Sequence, residues 1–372
     1  MSADSVFERR KREIRAEGTA VPFDFDALER GAADALPDGS YAFAASAAGR
    51  GATRRANASD FERWRIVPRV LRDVADRDLS VDLFGRTLDA PVTLAPIGMQ
   101  TAYDEAGELA SARAAAALNV PFALSTPAGY SIEDVAEAVG DAPRYFQLYW
   151  TADRDVAASL VSRAEDAGYD AIHLTVDFQT DRWTPETLAD TDTGLSTGRL
   201  ANLETDPVAV RTGEETEGVG RDESLTWDDL GFIRERTDLP LVVKGIVHPT
   251  DARLAVEHGA DGIVVSNHGG RQIDGSISTI RALPPIVEAV GDDATILLDG
   301  GVRGGADAFK ALALGADAVS IGRPYIYGLA LAGERGVYEV THNLLAELDT
   351  ILGLAGYTDV TEVDGAALHP VE

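Results

Sequence analysis

The chain has no cysteine. That absence excludes disulfide staples, thiolate nucleophiles, cysteine-ligated zinc and iron–sulfur clusters, so any redox work must use a bound organic cofactor. Lysine is nearly absent as well: Lys11, Lys244 and Lys310 are the only three, and the other basic residues are arginines. No stretch approaches the roughly 18 apolar residues of a membrane span. The opening segment MSADSVFERRKREIRAEG has no apolar core of signal-peptide type, so the cytoplasm is the expected location. Basic surplus is missing too. Lys and Arg number 33 against 62 Asp and Glu, a net charge of −29, which excludes nucleic-acid or anionic-membrane binding as the default function. A surface this acidic and this poor in lysine points to a halophilic protein, whose self-repulsion is screened in concentrated salt.

What is present is ordinary globular material. Hydrophobic residues at 45% and charged residues at 26% are enough for a full core and rule out disorder of the whole chain. Asp4 to Ala35 reads as polar helices with loop signals, and residues 1–90 as an N-terminal helical extension. From Pro91 onward, short apolar runs recur: PVTLAPIG, VPFALST, RYFQLYW, DAIHLTVD, PLVVKG, DGIVVSN, TILLDGG and DAVSIGR. Ala-rich stretches of helical spacing separate them. Three joins look alike: DAGYDAIHL, EHGADGIVV and LGADAVSI each give a helix end, a glycine, an aspartate and a strand. Eight such units predict an α/β fold, a TIM (β/α)8 barrel with its core at residues 91–335. The one irregular interval, after the fourth strand, is rich in Gly, Thr and acidic residues without clear periodicity. Residues 178–224 are expected to form a long loop there, either a lid or a disordered insertion, within a single domain.

In such a barrel the strands' C-terminal ends build the site, and here all eight ends are polar or glycine-rich. The last two, LLDGGVRGG and SIGRP, combine glycines with Arg303 and Arg323 beside helix starts, a pattern suited to cradling a phosphate. Lys244 ends a buried strand and needs an anionic or electron-rich partner, such as a flavin ring. His268, in SNHGGRQIDG, is placed to act as a general base, with Arg271 three positions later to hold a carboxylate. Asp177, at another strand end, would orient the imidazole. The remaining histidines read as structural, and no HxH or HExxH spacing suggests a metal.

Taken together, these residues resemble the FMN-dependent 2-hydroxy-acid oxidase and dehydrogenase family, and within it most nearly the lactate 2-monooxygenases. The likeness runs from about Phe61 to Tyr357, through LFGRTLDAPVTLAPIGMQ, LVVKGI, VVSNHGGRQIDG and DGGVRGGADAFKALALGADAVSIGRPYIYG. It implies FMN as cofactor, contacted around its ring by Pro96, Ile97, Gly98, Ser125, Gln147, Thr175 and Lys244. Asp299, Gly301, Arg303, Gly322 and Arg323 would hold the ribityl chain and phosphate. It implies that His268 takes a proton while a small, lactate-like L-2-hydroxy acid passes two electrons to flavin N5, as carbanion or hydride, and becomes a 2-oxo acid. Arg271 would bind the carboxylate, Tyr149 the developing carbonyl, and Lys244 the reduced flavin. A homo-oligomer, a tetramer by the resemblance, is expected.

Two positions depart from the family pattern. SYAFAASAAG puts Phe43 where a carboxylate-binding tyrosine is usual, with Tyr41 two residues earlier, so the phenol is lost unless Tyr41 substitutes. TVDFQTDRWTPE puts Thr184 where a second carboxylate-binding arginine is usual, with Arg182 two residues earlier. Either Arg182 reaches the carboxylate, or the substrate differs, for example a peptide or an amine. Gly98, lacking a Cβ, is expected to leave room beside the flavin ring. The alternatives to a hydroxy-acid oxidoreductase are a non-redox phosphate-binding barrel isomerase and a flavin-binding protein without turnover.

Overall fold

A computed structural model describes residues 5–151, 153–180, 182–184, 199–212 and 222–371. Eight parallel strands close into a barrel: β1 (Val92–Leu94), β2 (Phe122–Ser125), β3 (Arg144–Tyr149), β4 (Ala171–Thr175), β5 (Leu241–Ile246), β6 (Gly262–Val265), β7 (Thr295–Asp299) and β8 (Ala318–Ile321). Each strand pairs with its neighbour in sequence and β8 returns to β1, as expected from the eight apolar runs. The strands are buried on both faces, which is why they read as continuous apolar runs rather than alternating ones.

The repeated joins have a physical cause. Gly168, Gly259 and Gly315 lie at φ of 72°, 91° and 98°, a left-handed conformation that ends each helix at little cost only for glycine. The aspartate two residues on then accepts a backbone N–H from the start of the preceding strand: Asp170 from Arg144 at 2.9 Å, Asp261 from Leu241 at 2.8 Å and Asp317 from Ile296 at 2.7 Å. Each join therefore sets the height of one strand against the last.

Beneath the barrel, a hairpin of Val81–Leu83 and Arg86–Leu88 closes the interior. Leu83 and Leu88 pack against Tyr145, Val242, Val264 and Leu297, and the Phe84 ring meets Tyr145 edge-on at 5.7 Å. The opposite end stays open to the N-terminal segment, which folds as helices Val6–Glu17, Phe25–Ala35, Asp38–Ala45 and Ala52–Ser59. Two contacts tie this segment to the loop after β6. Asn57 and Asn267 exchange amide hydrogen bonds of 2.7 and 2.9 Å, both side chains buried, and Asp274 caps helix Ala52–Ser59 by accepting from Ala52 and Thr53. The final helix, Arg323–Ala355, is broken at Ala332 and Gly333 and runs past residue 335.

Part of the stretch expected as an aperiodic loop is helical. Helices Ala201–Glu204 and Pro207–Thr212 form within residues 178–224, and Asn202 donates to the carbonyls of Ser125 and Thr126 at the end of β2. The second helix starts at an Asp–Pro pair, with Asp206 accepting from Val208 and Ala209. Residues 181, 185–198 and 213–221 of that stretch lie outside the described residues.

Candidate active site

At the C-terminal end of the barrel lies a cavity of about 280 Å³. Its wall includes His268, Lys244, Tyr149, Arg271, Phe43 and Arg182, and also Pro96, Ile97, Gly98, Ser125, Asp299, Gly301, Arg303, Gly322 and Arg323. Three further expected residues adjoin that wall: Asp177 meets His268, Gln147 accepts from the Ser125 hydroxyl, and Thr175 pairs with Lys244 across the strands. Strand register explains the convergence: Tyr149, Thr175 and Lys244 are partners across β3, β4 and β5, one row at the rim.

His268 sits in a turn that the two glycines after it permit. It lies at φ 58°, followed by Gly269 and Gly270 at 65° and 77°, and a Cβ at Gly270 would meet the Arg54 nitrogen at 2.5 Å. The Ser266 hydroxyl accepts the His268 N–H at 3.1 Å, holding the strained residue. Its Nδ1 is 3.0 Å from Asp177 Oδ1 and its Nε2 is 3.4 Å from the Tyr149 hydroxyl. Because an ionised carboxylate only accepts, Nδ1 carries the proton and Nε2 offers its lone pair to the cavity. Burial holds the imidazole below the ordinary histidine value, against the opposing pull of Asp177. The Asp177 carboxyl stays low despite burial, through the charges of His268 and Lys244. The Tyr149 phenol is pushed up to about 12, chiefly by burial, and is a neutral donor.

Lys244 is 4% exposed, with Nζ at 3.3 Å from Asp299 Oδ2 and donating to Ser266 Oγ at 3.1 Å. Burial opposes its charge, but Asp299 and Asp177 keep the ammonium above its ordinary value. The Arg323 guanidinium donates to the carbonyls of Ala44, Gly269 and Ser46, so the N-terminal segment closes this side of the cavity. Arg303 lies over the Phe25 ring at 4.1 Å. Among the described residues neither Arg303 nor Arg323 forms an ion pair. Arg323 is brought down to about 9, first by burial and then by Arg271, Arg303 and Arg54, and Arg303 is lowered in the same way. Half-buried, crowded guanidinium groups beside helix starts call for an anion.

The chain matches the family described as FMN-dependent dehydrogenase over residues 32–370. It belongs to that family. It is 45% identical to an L-lactate oxidase of Lysinibacillus sphaericus (strain C3-41) over 349 residues, covering 91% of this chain and 90% of the relative. A 4-hydroxymandelate oxidase of Amycolatopsis orientalis is 42% identical, with coverage of 90% and 94%. A crystal structure of mandelate oxidase with benzoyl-formic acid superposes with a TM-score of 0.84 at 38% identity, covering 94% of this chain and 99% of that one. The protein is therefore an FMN-dependent oxidoreductase of the hydroxy-acid-oxidising family, and the isomerase alternative falls.

The cavity of this flavoenzyme fits FMN on its own chemistry. Gln147 Nε2, Thr175 Oγ1 and Asp299 Oδ1 are buried without hydrogen-bond partners, leaving one donor, one hydroxyl and one acceptor for a polar ring or chain. At Gly322 an added Cβ would touch only Ile97 Cδ1, at 3.5 Å, so the missing side chain leaves space on the cavity side. Gly98 corrects an expectation. A Cβ there would strike the Pro127 carbonyl at 2.6 Å, so packing against Pro127, not room beside the ring, requires the glycine. Gly301 is likewise fixed by the protein itself: at φ 90°, its Cβ would fall 1.9 Å from the Asn57 carbonyl.

On the substrate side, Phe43 lies under two guanidinium groups, with Arg271 Cζ at 4.7 Å and Arg182 Cζ at 5.7 Å from its ring centre, and its carbonyl accepts from Arg271 at 2.6 Å. Thr184 is buried and is not part of the cavity wall, whereas Arg182 is. Tyr41 packs on Tyr327 and is not part of the wall either, so it does not replace a hydroxyl at Phe43. Sequence reasoning missed Tyr103, Met99 and Phe178, all lining the cavity. Phe178 packs against Tyr149 and His268 at 5.3 and 6.2 Å. Its place directly after Asp177 at a strand end was the available signal.

Proposed function

We propose that the enzyme oxidises a small L-2-hydroxy acid, lactate or a near relative of it, to the 2-oxo acid. The observation that carries this reading is the His268 ring, held by Asp177 on one nitrogen and turned by the other toward Tyr149 within one cavity. His268 Nε2 takes the proton as the substrate is oxidised, and Asp177 stabilises the imidazolium that results. Tyr149 donates to the substrate oxygen that becomes a carbonyl. Arg271 holds the carboxylate, and Arg182, whose guanidinium also lies within 5.7 Å of the Phe43 ring centre, assists it.

FMN, when bound, supplies the acceptor for two electrons. Around it, Lys244 provides fixed positive charge at the ring, Gln147 and Thr175 offer their free polar atoms, and Arg303 and Arg323 hold the phosphate. The aromatic and aliphatic wall of Phe43, Tyr149, Phe178 and Met99 supports a substrate with an apolar side chain. The acidic, lysine-poor composition supports work in a salt-rich cytoplasm. Val70 and Leu71, exposed at 79% and 103%, support assembly into a homo-oligomer.

The test is an anaerobic spectrum of the purified protein in high salt, before and after L-lactate and then longer 2-hydroxy acids. Bleaching of the flavin bands by at least one of them is expected. A flavin that every 2-hydroxy acid leaves oxidised would overturn the proposal in favour of an amine or peptide substrate, or of a flavoprotein without turnover.

A further inference from the structure

Tyr103 belongs to the loop after β1. A one-turn helix, Gln100–Ala102, precedes it, and its own N–H bonds to the Gln100 carbonyl at 2.9 Å. That turn is fixed from within. Gln100 is fully buried, donates to the Ile97 carbonyl and the Tyr325 hydroxyl at 3.0 and 3.1 Å, and accepts from Ser111 at 2.6 Å. The tyrosine is thus held on a rigid support.

Its side chain presents a contradiction. Tyr103 is 7% exposed and its hydroxyl is buried with no hydrogen-bond partner. A phenol in that condition loses its hydration without replacement, which native proteins tolerate where a ligand completes the bond. The residue lines the same cavity as His268, Arg271 and Arg182. Burial raises its pKa, so it is a neutral donor, and the positive charges of Arg271, Arg323 and Arg182 reach its oxygen. An anionic acceptor brought into that field satisfies the hydroxyl. Phe43, the aromatic residue directly against Arg271, carries no donor of its own.

We propose that Tyr103 is a substrate-binding residue, its hydroxyl donating to the carboxylate that Arg271 and Arg182 hold. This rests on the reading of the cavity as a 2-hydroxy-acid site. It makes the carboxylate clamp a combination of β1-loop, β4-loop and β6-loop residues, and makes Tyr103 a determinant of acid recognition rather than of redox chemistry.

The experiment compares native holoenzyme with Tyr103→Phe, which keeps the ring and removes only the hydroxyl. Anaerobic flavin reduction is followed against concentration of the best 2-hydroxy acid, and FMN release is followed by fluorescence on dilution. The expected result is a KM raised roughly tenfold to a hundredfold, with the limiting rate of reduction changed far less and FMN affinity unaltered. A KM within twofold of native overturns the proposal. So does a loss of FMN affinity without a change in KM, which would assign the hydroxyl to the cofactor. A native flavin that no hydroxy acid reduces overturns the substrate reading itself, and is distinguished by needing no variant.

Discussion

The Nδ1 atom of His268 and the Oδ1 atom of Asp177 lie 3.0 Å apart, although 91 residues separate them in sequence. The contact joins the loop after β6 to the end of β4 and fixes which imidazole nitrogen faces the cavity. A Cβ at Gly245 would meet Asp177 Cβ at 2.7 Å, so β5 leaves room for the carboxylate only because that position is glycine.

From this pair follows a pH dependence. Burial places the His268 pKa below 6.5, so the base remains neutral at pH 7 and the acid limb of kcat/KM falls below the ordinary histidine range. Asp177 raises that pKa. Asp177→Asn should therefore move the acid limb to still lower pH while the plateau rate falls by on the order of a hundredfold or more, because the imidazolium loses its counter-charge. His268→Ala should retain FMN and lose flavin reduction. A pH–rate profile of Asp177→Asn with an unmoved acid limb would show that another group is the base.

Arg323 has no carboxylate partner among the described residues and is lowered to about 9 by burial and by neighbouring arginines. A phosphate dianion relieves that situation, whereas riboflavin does not. The native apoprotein should bind FMN far more tightly than riboflavin. Arg323→Ala should lose roughly one to two powers of ten in FMN affinity, from the loss of charge-assisted hydrogen bonds worth about 1.5–3 kcal/mol. Its riboflavin affinity should change little, and comparing the two dissociation constants by fluorescence titration checks this. Equal losses for both ligands would mean that the arginine acts by holding Ala44 and Ser46 rather than by meeting the phosphate.

The two glycines Gly301 and Gly322 separate fold from ligand. Gly301→Ala forces a Cβ onto the Asn57 carbonyl in a left-handed conformation, and should lower the stability of the apoprotein by roughly 2 kcal/mol or more. Gly322→Ala meets nothing closer than 3.5 Å. It should melt at the native temperature without FMN, yet bind FMN about tenfold more weakly or worse, because the methyl group enters space the cofactor needs. Melting curves of both variants with and without FMN decide the matter.

Much of this molecule can be read along the chain because its signals are local. A left-handed glycine followed by an aspartate recurs at Gly168, Gly259 and Gly315, and a buried strand must be apolar throughout, so the barrel declares itself at each unit. His268 with its two glycines and Arg271 is legible for the same reason: the turn conformation and the imidazole it carries are set within four residues. The helical part of the β4–β5 connection was harder. Its Asp206–Pro207 start is a visible helix signal, but the anchor is Asn202 on the β2 carbonyls, a contact that no local pattern announces.

By itself, then, the sequence determined the barrel, the glycine-flanked histidine turn and the acidic composition, all of which depend on nearest neighbours or on summed composition, while its resemblance to a known family implied the cofactor. Only the tertiary structure decided which hydroxyl faces the cavity. It turned Tyr41 toward Tyr327, set Phe43 beneath Arg271 and Arg182, left the Tyr103 hydroxyl without a partner, and gave Gly98 to Pro127 rather than to open space. The physical reason is that a side chain's chemistry is written at its own position, but its direction and its partner are fixed by the packing of loops distant in sequence.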